Sequence, residues 1–359
     1  MKRNLAALFL LTNLAGCGAL SDTQASAQSS QRTTEMVMVP NFAANSIAVK
    51  QVHLEDGTTS ALGDPIPSAG THPVIVKAHP HVKVFYVVNR DSNVITQFSL
   101  EESGKASLLS SIACPDQTQL FLVHPSGGWA YAAGSSRLRT YSISSTGVLN
   151  VQGADSELAA EPGWGADFSH GGKMLHVPEL GQIQSFPLIG GALGPDVTTP
   201  LASSTDRAVD LDLKPGSACL EVAVQGNDSI CAYTLGSDGF PNGVTVQHLK
   251  FRPATADFAQ NGQYYLGENG SPAVHVYQVS AGGLLSEMSG SPLALAGSGG
   301  AFFTALDPSE NFVMSTDANA NNRLDVRLRV GDGKLAGSQS DRQSLNIPGQ
   351  FDFMLFLQP

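Results

Sequence analysis

The sequence predicts an all-β fold, a β-propeller of seven blades with four antiparallel strands in each. Three observations carry this: a strand–turn–strand pattern that recurs seven times, a near-constant spacing of the recurrences, and a last strand that completes an otherwise short first unit. With Phe85-Tyr86-Val87-Val88 as reference, the positions equivalent to Tyr86 are Met38, Tyr131, His176, Glu221, Leu266 and Met314, at steps of 48, 45, 45, 45, 45 and 48 residues. A period in the forties that carries several strands per unit marks propeller blades; a helical solenoid would show a 3.6-residue period instead.

Each unit reads alike. After the reference strand come turn residues such as Asn89-Arg90-Asp91-Ser92 and Gln225-Gly226-Asn227-Asp228, where Asn, Asp and Gly tolerate the positive φ of tight hairpins. A second, mostly alternating strand follows: SIAVKQV from Ser46, NVITQFSL from Asn93, RLRTYSI from Arg137, QIQSFPL from Gln182, SICAYTL from Ser229, AVHVYQV from Ala273 and RLDVRLR from Arg323. Alternation is what a strand with unlike faces requires. A Gly-rich turn and a weaker edge strand come next, as at Gly282-Gly283-Leu284-Leu285. The next unit opens with an apolar strand ending in a turn such as His124-Pro125-Ser126-Gly127-Gly128 or Asp307-Pro308-Ser309-Glu310. The first unit starts near Met36 without such an opening strand, and Phe351-Asp352-Phe353-Met354-Leu355-Phe356 supplies one at the other end. Pairing of that last strand with the first unit is expected to close the ring and remove free sheet edges. Residues 34–359 are read as one repeat domain.

The first residues read as an address. Lys2 and Arg3 precede an apolar run, Leu5 to Leu14, that is too short to span a bilayer and fits a secretory signal over residues 1–16. Leu14-Ala15-Gly16-Cys17 resembles the bacterial lipoprotein processing box, which makes Cys17 the expected lipidation site. Residues 17–33 then form a flexible tether rich in Ser, Gln, Thr and Ala. Gly18 after the cysteine, by similarity to enterobacterial sorting, points to the outer membrane, facing the periplasm. Loss of residues 1–16 takes the formal charge from −11 to −13, a surface that repels nucleic acid and anionic headgroups. Membrane attachment is therefore expected through the lipid alone, no nucleic-acid partner is expected, and a monomer is. Cys114, Cys219 and Cys231 remain; Cys219 and Cys231 flank one hairpin, and their register does not imply a disulfide, which stays open.

The stretches VFYVVNRDSNVITQFSL from Val84, FSHGGKMLHVPELGQIQSFPL from Phe168 and LKPGSACLEVAVQGNDSICAYTL from Leu213 resemble the bacterial lactonase-type seven-bladed propellers, the group that contains 6-phosphogluconolactonase and related cyclases. The resemblance covers essentially the whole domain. It implies a site on one face of the ring built from a His and an Arg before an innermost strand, a Glu in the turn after the following strand, and further arginines. Glu179-Leu180 matches that turn, so Glu179 is the candidate catalytic residue. The Arg-His pair falls on Trp164-Gly165, a later Arg on Gln225, and Arg252-Pro253 reverses the family's order. The carboxylate survives and the imidazole does not.

Lactone opening needs a base and a donor set for the oxyanion, and an exposed carboxylate with an ordinary pKa near 4 is a weak base at neutral pH. Glu179 could serve if desolvated against Trp164. Elsewhere, His79-Pro80-His81 has a metal-like spacing but occupies the same turn slot as His124-Pro125 and Lys214-Pro215, and Asp317-Ala318-Asn319-Ala320-Asn321 lacks the Gly and closing Glu of a calcium loop. No metal or cofactor is expected, and His176 and His275 read as strand residues. Loops before the innermost strands and turns after the second strands should share one face, gathering His72, Arg90, Asp116, Trp164, Glu179, Asp206, Arg207, Arg252, Glu268 and Asp317. Of these, Trp164, Arg207, Arg252, His72 and Arg90 are the candidate ligand-binding residues. The expected function is a lipid-anchored envelope propeller that binds a protein or a small lactone or sugar ligand through an incomplete lactonase site. The alternative is a lactone hydrolase with a rearranged site using Glu179, Arg207 and Arg252.

Overall fold

The computed structural model describes residues 32–54, 57–295, 299–317, 324–330, 334–341 and 352–357, with side chains from Glu35 to Thr316. The expected signal, Cys17, most of the tether and the 318–323 turn lie outside the described residues. Among the described residues every regular element is a strand. The strands group into seven antiparallel sheets whose innermost members are Pro73–Ala78, Leu120–Val123, Asp167–Phe168, Ala208–Leu213, Pro253–Phe258, Ala301–Leu306 and Asp352–Leu357. Their hydrogen-bonded second strands are Val84–Asn89, Trp129–Ala133, Met174–Glu179, Cys219–Val224, Gln263–Glu268, Phe312–Asp317 and Arg32–Asn41. The fold is an all-β propeller.

The repeat is visible in the register. Lys77 pairs with Tyr86, Leu122 with Tyr131, Asp167 with His176, Asp212 with Glu221, Ala305 with Met314 and Asp352 with Met38. These second partners are six of the seven positions aligned from the sequence. In the remaining sheet a bulge between Pro253 and Ala256 slips the pairing, so Leu266 faces Ala256 and Asp257 faces Tyr265. The strand Asp352–Leu357 pairs antiparallel with Arg32–Asn41, so the two distant ends of the chain share a sheet.

Alternate side chains of one strand enter two different cores. Met36 and Met38 pack with Val76, Phe85 and Val87 of the following sheet, whereas Val37 and Val39 pack with Phe312 and Met314 of the preceding one. Each such burial is worth about 1.5–3 kcal/mol. For this reason Val84–Asn89, Met174–Glu179 and Cys219–Val224 are buried at every position. The apolar–polar alternation of the sequence therefore does not separate core from solvent. His176 and Glu221, at positions equivalent to Tyr86, are wholly buried. Cys114, Cys219 and Cys231 are free thiols; Cys219 lies opposite Thr234 and Cys231 opposite Val222, so no disulfide joins them.

The turns after the innermost strands latch neighbouring sheets. His79 Nε2 donates to the Gly127 carbonyl at 2.9 Å, while its Nδ1 accepts the amides of His81 and Val82. His124 repeats the contact on Gly172 at 2.9 Å, and His170 on Ser217 at 2.7 Å. The His79-Pro80-His81 spacing therefore serves a sheet-to-sheet latch that needs a neutral ring, and burial lowers the His79 pKa. Replacing His79 with Ala strands two amides and a carbonyl, and should cost about 1–3 kcal/mol in urea unfolding. A change within experimental error would refute the latch.

Candidate functional site

The face that carries the hairpin turns is organised by the segment Glu161 to Ala166. Gly163 N–H donates to the Pro178 carbonyl at 2.7 Å, and the amides of Trp164 and Gly165 both reach the Val209 carbonyl, at 2.7 and 3.2 Å. This pins the segment between two sheets and sets Gly165 beside Asp210. A Cβ at position 165 would overlap Asp210 Oδ1. The side chain that the resemblance places here as an imidazole has its space taken by a carboxylate from the neighbouring innermost strand.

Glu179 ends its strand beneath this segment and is fully buried. Its Oε2 accepts the Ala160 amide at 3.0 Å and the Gln182 side-chain amide at 2.8 Å, while Oε1 has no partner among the described residues. Burial pushes its pKa up to about 7, against the lowering effect of those donors. Among the described residues no arginine bonds the Glu179 carboxyl, and Arg207 pairs with Glu161 Oε1 at 3.4 Å instead.

Trp164 is half-buried and lies against Phe302, with ring centroids 4.4 Å apart, and the Arg207 guanidinium sits 5.6 Å from the Trp164 ring. The innermost strands Ala208–Leu213 and Pro253–Phe258 separate the sheets of Trp164 and Phe302, so this contact reaches across the channel mouth. A second cluster joins His72, Arg90 and Asp91 over Phe42: His72 Nδ1 lies 2.6 Å from Asp91 Oδ2, and the His72 ring stacks on Phe42 at 4.0 Å. A third holds His275 between Glu268 at 3.1 Å and Glu287 at 2.9 Å, stacked on Phe251. Arg252 is exposed and forms no ion pair among the described residues. Asp206 is buried by its bonds from Ser203 and Asn227, and Asp116 is exposed. Trp164, Arg207 and Glu161 therefore form one group with Phe302, while His72 and Arg90 form another.

The feature missed by the sequence reading is the acidic lining of the central channel. A cavity of about 220 Å³ is lined by Lys77, Asp210, Asp212, Thr255, Asp257 and Phe303 from innermost strands of different sheets, and by Gly165 from the segment before one of them. Burial raises Asp257 to about 7 and Asp167 to about 6. Burial together with the neighbouring aspartates pushes Asp212 well above the ordinary carboxylate range, and Asp210 is raised as well. The signal was present: Lys77, Leu122, Asp167, Asp212 and Asp257 recur at steps of 45, nine residues before the aligned series.

No protein-family model matches the chain. It is 27% identical to the 6-phosphogluconolactonase of Klebsiella pneumoniae (strain 342) over 186 residues, 47% of this chain and 54% of that protein, and equally to that of a second Klebsiella pneumoniae strain. The chain thus spans about half the length of the curated relatives it matches. Among solved structures it is similar to the periplasmic gluconolactonase of Pseudomonas aeruginosa (TM-score 0.76, 15% identity, 90% of this chain and 99% of that one). It is also similar to a protein from Lactobacillus plantarum (TM-score 0.77, 15% identity, 90% and 100%).

Carboxyls whose folded pKa exceeds the unfolded value stabilise the fold fully below about pH 4 and lose that contribution as pH rises through the folded value. Glu179, Glu221 and Asp257, each at about 7, therefore predict a melting temperature that falls between pH 6.5 and 8.5. The buried His176, lowered to about 4, and His79 act in the opposite sense only below about pH 6.5. Glu179→Gln should flatten the decline, and a flat wild-type profile would contradict the burial of these acids. The curated relatives of this chain are 6-phosphogluconolactonases, and its structural neighbours include lactonase-like β-propellers.

Proposed function

We propose that this protein is a lipid-anchored propeller of the cell envelope that binds a small lactone- or sugar-like ligand at the Trp164–Arg207 mouth, through a lactonase site that has lost its hydrolytic imidazole. The observation that carries this reading is the exchange at Gly165, where Asp210 fills the space of the missing side chain. Glu179 beneath it is sealed by the Ala160 amide rather than opened to the channel. The Trp164 face with the Arg207 guanidinium above it offers a stacking surface and a donor, the pairing that ligands with an apolar ring face and polar edges use. The seven sheets, with Met38 paired to Asp352, support a ring of seven blades closed by its last strand.

The resemblance of Leu14 to Cys17 to a lipoprotein box supports anchoring through Cys17, and similarity to a periplasmic gluconolactonase supports an envelope location. The second reading, lactone hydrolysis at a rearranged site, is favoured by the Glu179 pKa of about 7, which suits a general base at neutral pH.

Three measurements test this. Full-length protein in detergent should hydrolyse 6-phosphogluconolactone and simple γ- and δ-lactones no faster than the spontaneous rate, and Trp164→Ala should weaken binding of the best-bound lactone at least tenfold. Turnover that Glu179→Gln removes would establish the hydrolase instead. In cells of a Gram-negative host, Cys17→Ala should move the protein from the membrane fraction to the soluble one; retention in the membrane fraction would refute the anchor.

A further inference from the structure

We infer that the junction between the sheet of Met174–Glu179 and the sheet of Cys219–Val224 holds a second binding site, on the face opposite Trp164, for a small phenol. The occupant is a flat apolar ring that carries one donor hydroxyl. The site goes beyond the reading above and stands independently of it.

Two earlier junctions show how such a junction is sealed. Tyr86 donates its hydroxyl to the Gly147 carbonyl of the next sheet at 2.8 Å, and Tyr131 donates to the Gly191 carbonyl at 2.7 Å. Each tyrosine satisfies a carbonyl in its neighbour's turn between the third and fourth strands. The next two aligned positions carry His176 and Glu221 instead. At the Glu221 junction Lys214 makes the crossing, and its ammonium donates to the Val279 and Ser280 carbonyls at 2.6 and 3.2 Å. At the His176 junction the ring stays within its own sheet. Its Nδ1 meets Ser185 Oγ at 2.8 Å, and its Nε2 has no partner among the described residues.

The turn that would receive a tyrosine hydroxyl is nonetheless kept. Gly147 N–H donates to the Ser144 carbonyl and Ser144 N–H to the Val148 carbonyl, both at 2.9 Å. Gly239 and Gly236 repeat the pair on the Gly236 and Phe240 carbonyls, also at 2.9 Å. φ is +84° at Gly147 and +85° at Gly239. The approach of the preceding sheet is repeated too. A Cβ on Gly147 would lie 2.8 Å from Val84 Cγ2, and one on Gly239 would lie 2.9 Å from Met174 Cγ. Val84 and Met174 each stand two residues before an aligned position. The Gly239 carbonyl is therefore set as the Gly147 carbonyl is, yet it accepts no hydrogen bond among the described residues.

Space lies beside that carbonyl. A cavity of about 380 Å³ is lined by Gly239, Met174, Leu235, Ala218, Lys173 and Ser237, among others, a volume within the roughly 300–1,000 Å³ of ligand pockets. Met174, Leu235 and Ala218 give it apolar wall for a ring face, and Gly239 gives it an acceptor. The chemistry that fits is the one the two earlier junctions supply covalently, an aromatic ring ending in a hydroxyl. An ether of the same shape fills the space and leaves the carbonyl without a donor, which loses the bond and keeps the desolvation cost.

The test is calorimetric titration of full-length protein in detergent, with empty micelles as the blank. The ligands are p-cresol, which is the tyrosine side chain without its backbone, and 4-methylanisole, in which a methyl group replaces the hydroxyl hydrogen. p-Cresol should bind at least tenfold more tightly than 4-methylanisole. His176→Tyr, which returns a hydroxyl donor to Gly239, should weaken p-cresol at least tenfold and raise the melting temperature. Ala218→Phe, at an exposed position in the cavity wall, should weaken p-cresol at least tenfold without a change in melting temperature. This second variant decides the matter if His176→Tyr does not fold. Absence of saturable p-cresol binding, equal binding of the two ligands, or p-cresol binding indifferent to Ala218→Phe would each overturn the proposal. None of these outcomes depends on lactone binding at the Trp164 mouth, so the two readings can fail separately.

Discussion

The structure depends on carboxylates that bridge one innermost strand to the next. An innermost strand is paired on one side only, so its outward amides would otherwise be left unbonded at an edge. Here Asp167 accepts the Leu213 amide at 3.0 Å, Asp210 the Ala256 amide, and Asp257 the Leu306 amide. Each bridge joins consecutive sheets in which the cores already interdigitate, and each is an ionisable acceptor on backbone N–H, stronger than a neutral pair. Thr255 adds a neutral version, accepting the Thr304 amide at 2.9 Å and donating to the Phe302 carbonyl. On the far face the His79, His124 and His170 latches do the same work with imidazoles.

The bridging arrangement has an electrostatic consequence. Acids placed to cap strand edges must crowd the axis, because the innermost strands converge there. Among the described residues that line the cavity Lys77 is the one cation, and burial with the crowding lifts the pKa values of the acids toward neutrality. The polarity of the channel wall is thus a by-product of how the sheets are tied. Removing one of the bridging aspartates therefore also loosens a joint between sheets.

Much of this was legible. The series Met38 to Met314 located the second strands because each sits opposite the same point of an innermost strand, and that register is what sequence periodicity records. The strand from Asp352 was legible as the missing partner of the first unit for the same reason. The candidate site was legible only in part. Glu179 was found from its turn, but its burial beneath Ala160 depends on a segment joining two sheets, which local pattern does not report. The Trp164–Phe302 contact links residues more than a hundred positions apart across the channel and leaves no periodic trace. The Asp167, Asp212 and Asp257 series is periodic at steps of 45 residues, but it lies in the innermost strands and not in the turns. Apolar–polar alternation also misleads here, since both faces of a blade are buried against neighbours.

The packing at Gly165 shows why a larger side chain is hard to place there. An imidazole at that position would require the Asp210 carboxylate to leave, since even a Cβ overlaps it. Asp210 cannot move freely, because both of its oxygens hold backbone amides, one of them on the next innermost strand. Restoring the side chain therefore means breaking a joint between sheets and stranding the Ala256 amide inside the channel, a penalty of about 1–3 kcal/mol before any chemistry is gained. Two substitutions, each unfavourable alone, would have to arrive together. The Asp210 bridge and the glycine at position 165 are in this sense one structural state, held by packing.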